Sequence, residues 1–132
     1  MTKVTSLRQP KSMNSTLQTK LETNFPWFNT IIECDDGWYD LIYNCLKEIT
    51  EFCKTTNKPY PEIAQIKEKY SSLRIYTYDF NLEIDEIIDR YESMSKSICE
   101  HCGSYGQLYI NGGYYRTLCE DCRVKLGFKL RK

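Results

Sequence analysis

Two cysteine pairs near the C-terminus decide the fold: Cys99-Glu100-His101-Cys102 and Cys119-Glu120-Asp121-Cys122, with sixteen residues between Cys102 and Cys119. Two intervening residues let one tight turn aim both sulfurs of a pair at a point about 2.3 Å away, which is the zinc–sulfur distance. Two such pairs complete a tetrahedron. The spacing therefore predicts one Zn²⁺ ion bound by Cys99, Cys102, Cys119 and Cys122.

The residues between the pairs predict the shape of the finger. Asn111-Gly112-Gly113 is a strong turn signal between two strand-like stretches, residues 107–110 and 114–118. Cys119 begins a short helical stretch that ends near Gly127. A knuckle, a hairpin and a helix in this order predict a treble-clef finger. A zinc ribbon, whose second pair lies on another knuckle, is the alternative.

The ligand set indicates a structural zinc. A catalytic zinc keeps one coordination position open for water, whereas four cysteines fill the shell. His101, the only histidine, is an alternative ligand. No nucleophile, phosphate-binding or dinucleotide-binding motif is present. We therefore predict no enzymatic activity. A dithiol redox role for Cys99 and Cys102 is an alternative that leaves the second pair unexplained.

The rest of the chain predicts an α+β body. An apolar stripe with helical spacing runs from Trp38 to Cys53, after Asp35 and Asp36 and before a stop at Asn57. A second amphipathic helix is predicted over residues 82–97. Between the helices, residues 63–68 and 73–78 favour a β-hairpin, although a helix is the alternative there. Three further cysteines, at positions 34, 45 and 53, are interpreted as buried small hydrophobic residues.

Cysteine use and charge constrain the setting. Seven cysteines are an odd number, no apolar stretch follows Lys3, and four cysteines form metal-type pairs, so a reducing cytoplasm with zinc is favoured over a disulfide scaffold. No apolar run reaches the length of a membrane span. The net charge is zero, but residues 22–92 carry fifteen acids against seven bases, and both ends are basic.

We expect three parts in the chain. Residues 1–20 are polar and basic, and are predicted to be a mobile arm, with a short helical turn around 15–22; contact with phosphate is the alternative. Residues 21–97 form the helical and hairpin body. Residues 98–132 form the zinc finger with a basic tail.

The predicted binding surface is the finger, because aromatic and basic residues crowd its hairpin and the helix that follows. Tyrosine and arginine are frequent hot-spot residues at protein interfaces, and aromatics mixed with bases also suit single-stranded nucleic acid. Protein binding is the favoured prediction, and nucleic acid is the alternative. The predicted binding residues are Tyr109, Tyr114, Tyr115, Arg116, Arg123 and Lys125.

Several motifs in a fixed order resemble those of small phage-encoded zinc-binding proteins of unassigned function. The motifs are residues 33–42 (ECDDGWYDLI), 65–70 (QIKEKY), 73–76 (LRIY), 99–103 (CEHCG), 112–113 (GG) and 117–122 (TLCEDC). The resemblance extends from about Glu33 to Cys122. It implies a phage origin, the host-cell cytoplasm as the setting and, by analogy, a host or phage protein as the partner, but no activity.

Overall fold

The computed structural model describes residues 12–130, which form an α+β fold. Its longer elements are two helices and a hairpin, followed by a smaller finger. In chain order the elements are α1 (Ser15–Asn24), β1 (Ile32–Glu33), a 3₁₀ turn (Asp36–Trp38), α2 (Tyr39–Thr56), β2 (Ile63–Lys69), β3 (Ser72–Thr77), α3 (Leu82–Met94), a second 3₁₀ turn (Ser95–Ser97), β4 (Gln107–Asn111), β5 (Tyr114–Leu118), α4 (Glu120–Leu126) and β6 (Lys129–Leu130).

The α1 helix contains the helical turn predicted around residues 15–22 and extends it to Asn24, within the part of the predicted arm that the structure describes. Asn14 caps the helix, since its side chain accepts from the amides of Thr16 and Leu17. Met13 and Leu21 are buried and Leu17 packs against the same core, so the helix is held by an apolar face with four-residue spacing. Residues 1–11 of the predicted arm lie outside the described residues.

The body core lies between the sheet β1-β2-β3 and the helices α2 and α3. β1 is parallel to β2, and β2 pairs antiparallel with β3. Ile32, Ile66 and Ile75 are partners across the three strands, and all three are buried. Their shared face packs against the apolar stripes of the helices, which confirms the predicted helices and hairpin.

A polar contact joins the two long helices. The Tyr91 hydroxyl of α3 donates to Glu48 Oε1 of α2 at 2.9 Å, and Arg90 pairs with the same carboxylate. The hydrogen bonds from Arg90 keep the pKa of Glu48 below its ordinary value. This contact fixes the register in which α2 and α3 pack.

Side chains from neighbouring elements occupy the outer edges of the body sheet. On β3, the amides of Leu73 and Ile75 donate to Ser95 Oγ and Glu92 Oε2. On β1, the Ile32 amide donates to Gln18 Oε1, and the Ile32 carbonyl accepts from Met13. These backbone amides and this carbonyl, which could otherwise pair with a strand of another molecule, are therefore hydrogen-bonded within the chain.

The β2–β3 hairpin turns through Tyr70 and Ser71, which both have left-handed backbones, with φ of 50° and 73°. Two consecutive positive φ values are typical of the two-residue hairpin turn that favours Asn-Gly. The turn also touches the finger, because the Thr117 hydroxyl donates to the Ser71 carbonyl at 2.8 Å.

We expect Ser71→Gly to stabilise the protein by about 0.5–1 kcal/mol, because glycine adopts this backbone without a Cβ penalty. The Thr117 contact uses the Ser71 carbonyl and survives the change. Urea unfolding measures the difference. The matched control is Ser93→Gly in the last turn of α3, which should instead lose up to about 1 kcal/mol. A loss of stability in Ser71→Gly would contradict the strain argument.

Candidate metal centre

Four cysteine sulfurs converge at one point in the finger. The Sγ atoms of Cys99, Cys102, Cys119 and Cys122 all lie within 4.8 Å of one another, and those of Cys102 and Cys119 are 3.6 Å apart. A tetrahedral zinc with bonds of about 2.3 Å places its sulfurs about 3.8 Å apart. The four side chains can therefore hold one metal ion, and this is the only such cluster found among residues 12–130.

The first pair lies on a knuckle between the second 3₁₀ turn and β4. The Cys99 amide donates to the Ser104 carbonyl at 2.6 Å, and the Gly103 amide donates to the Cys99 carbonyl at 2.9 Å. Gly103 has a φ of 90°, a backbone that glycine adopts without strain. Burial raises the pKa of Cys99, and backbone hydrogen bonds from Cys102, Cys119 and His101 oppose that rise. Such hydrogen bonds stabilise thiolate charge once a metal has displaced the proton.

The second pair lies at the start of a helix. Cys119 is the N-cap of α4, and Cys122 lies in its first turn. One turn of helix brings two side chains with this spacing to the same side. This local geometry distinguishes the second pair from the first, which has no helix.

The thiols differ in their readiness to ionise. Hydrogen bonds from the side chain and backbone of Ser104 lower the pKa of Cys102 to about 6. Burial is the main cause that raises the pKa of Cys99 and of Cys122. Metal binding must therefore displace protons from the buried thiols, so affinity rises with pH.

The finger has a small core of its own. The sheet β5-β4-β6 packs with α4 around five buried residues: Cys99, Tyr109, Leu118, Cys122 and Phe128. Tyr109 is 2% exposed, and its hydroxyl is bonded to Gln107 and Glu120. This corrects the prediction that Tyr109 contacts a partner. The sequence between Cys102 and Cys119 did not show which of its tyrosines would be buried and which would be exposed.

The knuckle docks directly onto the body. The Gly37 amide donates to the Glu100 carbonyl at 2.7 Å, and the Trp38 indole donates to the Ile98 carbonyl at 2.8 Å. A Cβ atom on Gly37 would lie 2.3 Å from the Cys99 carbonyl oxygen and 2.4 Å from that of Glu100. Only glycine fits there. The backbone of the first 3₁₀ turn, at Gly37, is therefore in direct contact with the backbone of the knuckle.

A buried network of charged side chains also joins the knuckle to the body. Arg116 of β5 donates to Glu100 Oε1 at 3.0 Å and to Asp35 Oδ2 at 2.5 Å. Glu100 is fully buried, and its other oxygen accepts from the Asp35 amide at 3.0 Å. Burial lowers the pKa of Arg116, but the two facing carboxylates outweigh it and the net shift is upward. Arg116 therefore joins the finger to the body within the chain. This corrects the prediction that Arg116 contacts a partner.

The remaining predicted residues are placed as follows. Tyr114 and Tyr115 are exposed on β5, at 64% and 41%. Arg123 pairs with Glu120 at 2.8 Å and donates to the Phe128 carbonyl, whereas Lys125 is exposed. His101 is not one of the four converging residues, and its Nδ1 lies 3.5 Å from Asp35 Oδ2.

The three other cysteines are buried in the body, as predicted. Burial raises the pKa of the Cys45 thiol to about 12, so this thiol stays protonated and unreactive at neutral pH.

Sequence reasoning missed the roles of Gly37, Asp35 and Glu100. Glu100 lies between two predicted ligands, and Gly37 follows two aspartates before the first long helix. Nothing in either local sequence indicates a contact with a residue more than sixty positions away.

Comparison with known proteins adds no family assignment. No family profile matches the chain, and no curated protein or solved structure is significantly similar to it. Within residues 12–130, no helix has the length and apolar character that crossing a bilayer requires.

Proposed function

We propose that this chain is a non-enzymatic zinc protein in which the metal is structural and the biological activity is binding of another protein. The observation that carries the proposal is the convergence of four sulfurs, two from a knuckle and two from the start of α4. Four thiolates complete the zinc shell and leave no position for water or substrate. The order of knuckle, hairpin and helix supports a treble-clef type of finger over a zinc ribbon.

The surface left for a partner is the turn end of the finger hairpin, where Tyr114 and Tyr115 project from opposite faces of β5. Tyr109, Arg116 and Arg123 are engaged within the chain, whereas Tyr114 and Tyr115 are exposed. Exposed tyrosines on a well-held strand are favourable anchors because they bury much area with few rotamers. The same geometry weakens the nucleic-acid alternative, since two of the predicted cations are already paired with carboxylates.

The setting that we propose is the reducing cytoplasm of a host cell, with a phage-type accessory role and a host or phage protein as the partner. Four of the seven cysteines converge in one metal-type cluster, which supports a reducing compartment over a disulfide scaffold. The resemblance described above supports the phage setting.

Native mass spectrometry and a binding assay test the proposal together. We expect one zinc per chain, and a protein captured from host lysate that binds again when purified. Tyr114→Ala with Tyr115→Ala should abolish that binding while zinc is retained. Tyr70→Ala is the matched control, because Tyr70 is 75% exposed on the body hairpin. A folded chain that carries no metal, or equal losses in both variants, would contradict the proposal.

A further inference from the structure

A second surface, at the start of α3 rather than in the finger, exposes large apolar side chains. Tyr78, Phe80 and Leu82 are 70%, 83% and 58% exposed, and they lie within five consecutive residues, here called the 78–82 loop. Single exposed apolar residues are ordinary in folded proteins. Three in one short loop indicate a contact surface.

The 78–82 loop is held in place rather than loose. The Thr77 hydroxyl donates to the Asp79 carbonyl at 2.7 Å, and the Asp79 carboxylate accepts from the Glu62 amide at 3.1 Å. At the other end, Asn81 caps α3 by accepting from the Ile84 amide at 3.0 Å. A loop fixed in this way loses little conformational entropy when a partner covers it.

The surroundings of the loop are acidic. Residues 78–89 contain five carboxylates and no base, and Arg90, just beyond, is paired with Glu48. Acids in the first turns of a helix suit the helix dipole and by themselves indicate no ligand. Asp85 and Glu86, however, follow Leu82 by three and four positions, so they lie on the same face of α3 and form an acidic rim beside it. Such a rim selects for opposite charge in a partner.

We infer that the 78–82 loop binds a partner segment that places apolar side chains on the loop and lysine or arginine on the acidic rim. A second copy of this chain fits poorly, since a two-fold contact would set the acidic rims against each other. Phosphate backbones are disfavoured for the same reason. This inference rests on the proposed protein-binding function but uses a different surface from the finger hairpin.

The test uses three labelled peptides in fluorescence anisotropy with the full zinc-loaded chain. One is an amphipathic helix-forming peptide of leucine and lysine, the second has the same residues in scrambled order, and the third has glutamate in place of lysine. We expect only the first to bind well. Phe80→Ser with Leu82→Ser should weaken it about thirtyfold, the effect of losing a hot spot. Glu83→Lys with Glu86→Lys should weaken it at low salt and less at high salt.

Val124→Ser is the matched control, because Val124 is 60% exposed on the finger and should leave peptide binding unchanged. Both loop positions are exposed, so the double serine variant keeps its core. Equal binding of the first two peptides, binding of the glutamate peptide, no effect of the loop variant, or self-association through Phe80 in sedimentation would overturn the inference. A normal zinc content in every variant would show that the metal proposal stands independently of this outcome.

Discussion

Cys122→Ser is expected to abolish zinc retention and unfold the finger while the body stays folded. A serine hydroxyl is a poor zinc ligand, and the finger core has only five buried residues, one of which is Cys122. Zinc binding to small fingers is worth about 10–16 kcal/mol at neutral pH, far more than so small a core supplies. The body keeps its separate core between the sheet and the two long helices.

Three measurements check this result. Native mass spectrometry should show one zinc in the wild type and almost none in Cys122→Ser. Hydrogen exchange should lose protection in β4, β5 and α4 but keep it in α2. Fluorescence should shift to the red in a Trp27→Phe background, because the buried Trp38 indole loses its bond to the Ile98 carbonyl.

Cys53→Ala is the matched control for a cysteine outside the cluster. Cys53 is buried in the body, where its thiol approaches the Pro59 carbonyl at 3.5 Å. The variant should retain one zinc and lose only about 1–2 kcal/mol through a small cavity. If chelation left the wild-type melting curve unchanged, the metal would not hold the finger together.

Arg116→Met is expected to destabilise the protein by about 3–5 kcal/mol, although zinc still binds. The change removes the guanidinium that donates to Glu100, so this fully buried carboxylate loses its ion pair with Arg116. Breaking a buried ion pair from one side costs more than the pair contributes, because the remaining charge stays desolvated. Urea unfolding measures the loss.

Two further variants separate charge from packing. Arg116→Met combined with Glu100→Gln should recover much of the loss, since the fully buried position then carries no charge and the Asp35 side chain that remains is partly exposed. Arg123→Met removes the other finger ion pair, which involves a largely exposed Glu120, and should cost much less stability than Arg116→Met. If Arg116→Met and Arg123→Met lowered the free energy of unfolding by similar amounts, the buried network would not be what holds the finger to the body.

The features that are coded locally could be predicted from the sequence. The apolar stripes at helical spacing placed α2 and α3 correctly. Asn57 ends α2, as predicted, and the structure shows that it does so in a left-handed conformation. The convergence of the four cysteines was also predicted, because two intervening residues turn both sulfurs of a pair to one side.

The features that depend on distant partners could not be predicted. The first helix has a largely polar sequence, so the sequence predicted only a short helical turn around residues 15–22 and not the burial of Met13 and Leu21 against the body. Tyr109 and Tyr114 lie in the same hairpin, yet one is buried and the other exposed, because Tyr109 is in the middle of the sheet between β5 and β6, whereas Tyr114 is beside the turn. Arg116 finds Asp35 across 81 positions, a separation over which no local pattern operates.

The close fit of Gly37 against the Cys99 carbonyl has a kinetic consequence. The contacts at this junction join residues 60 to 81 positions apart, so they form only after most of the chain has been synthesised and brought together. Closing such long loops is slow in comparison with forming local helices. We therefore expect the body to fold first and to present a finished turn around Gly37, so that zinc capture and docking form the last, rate-limiting phase of folding.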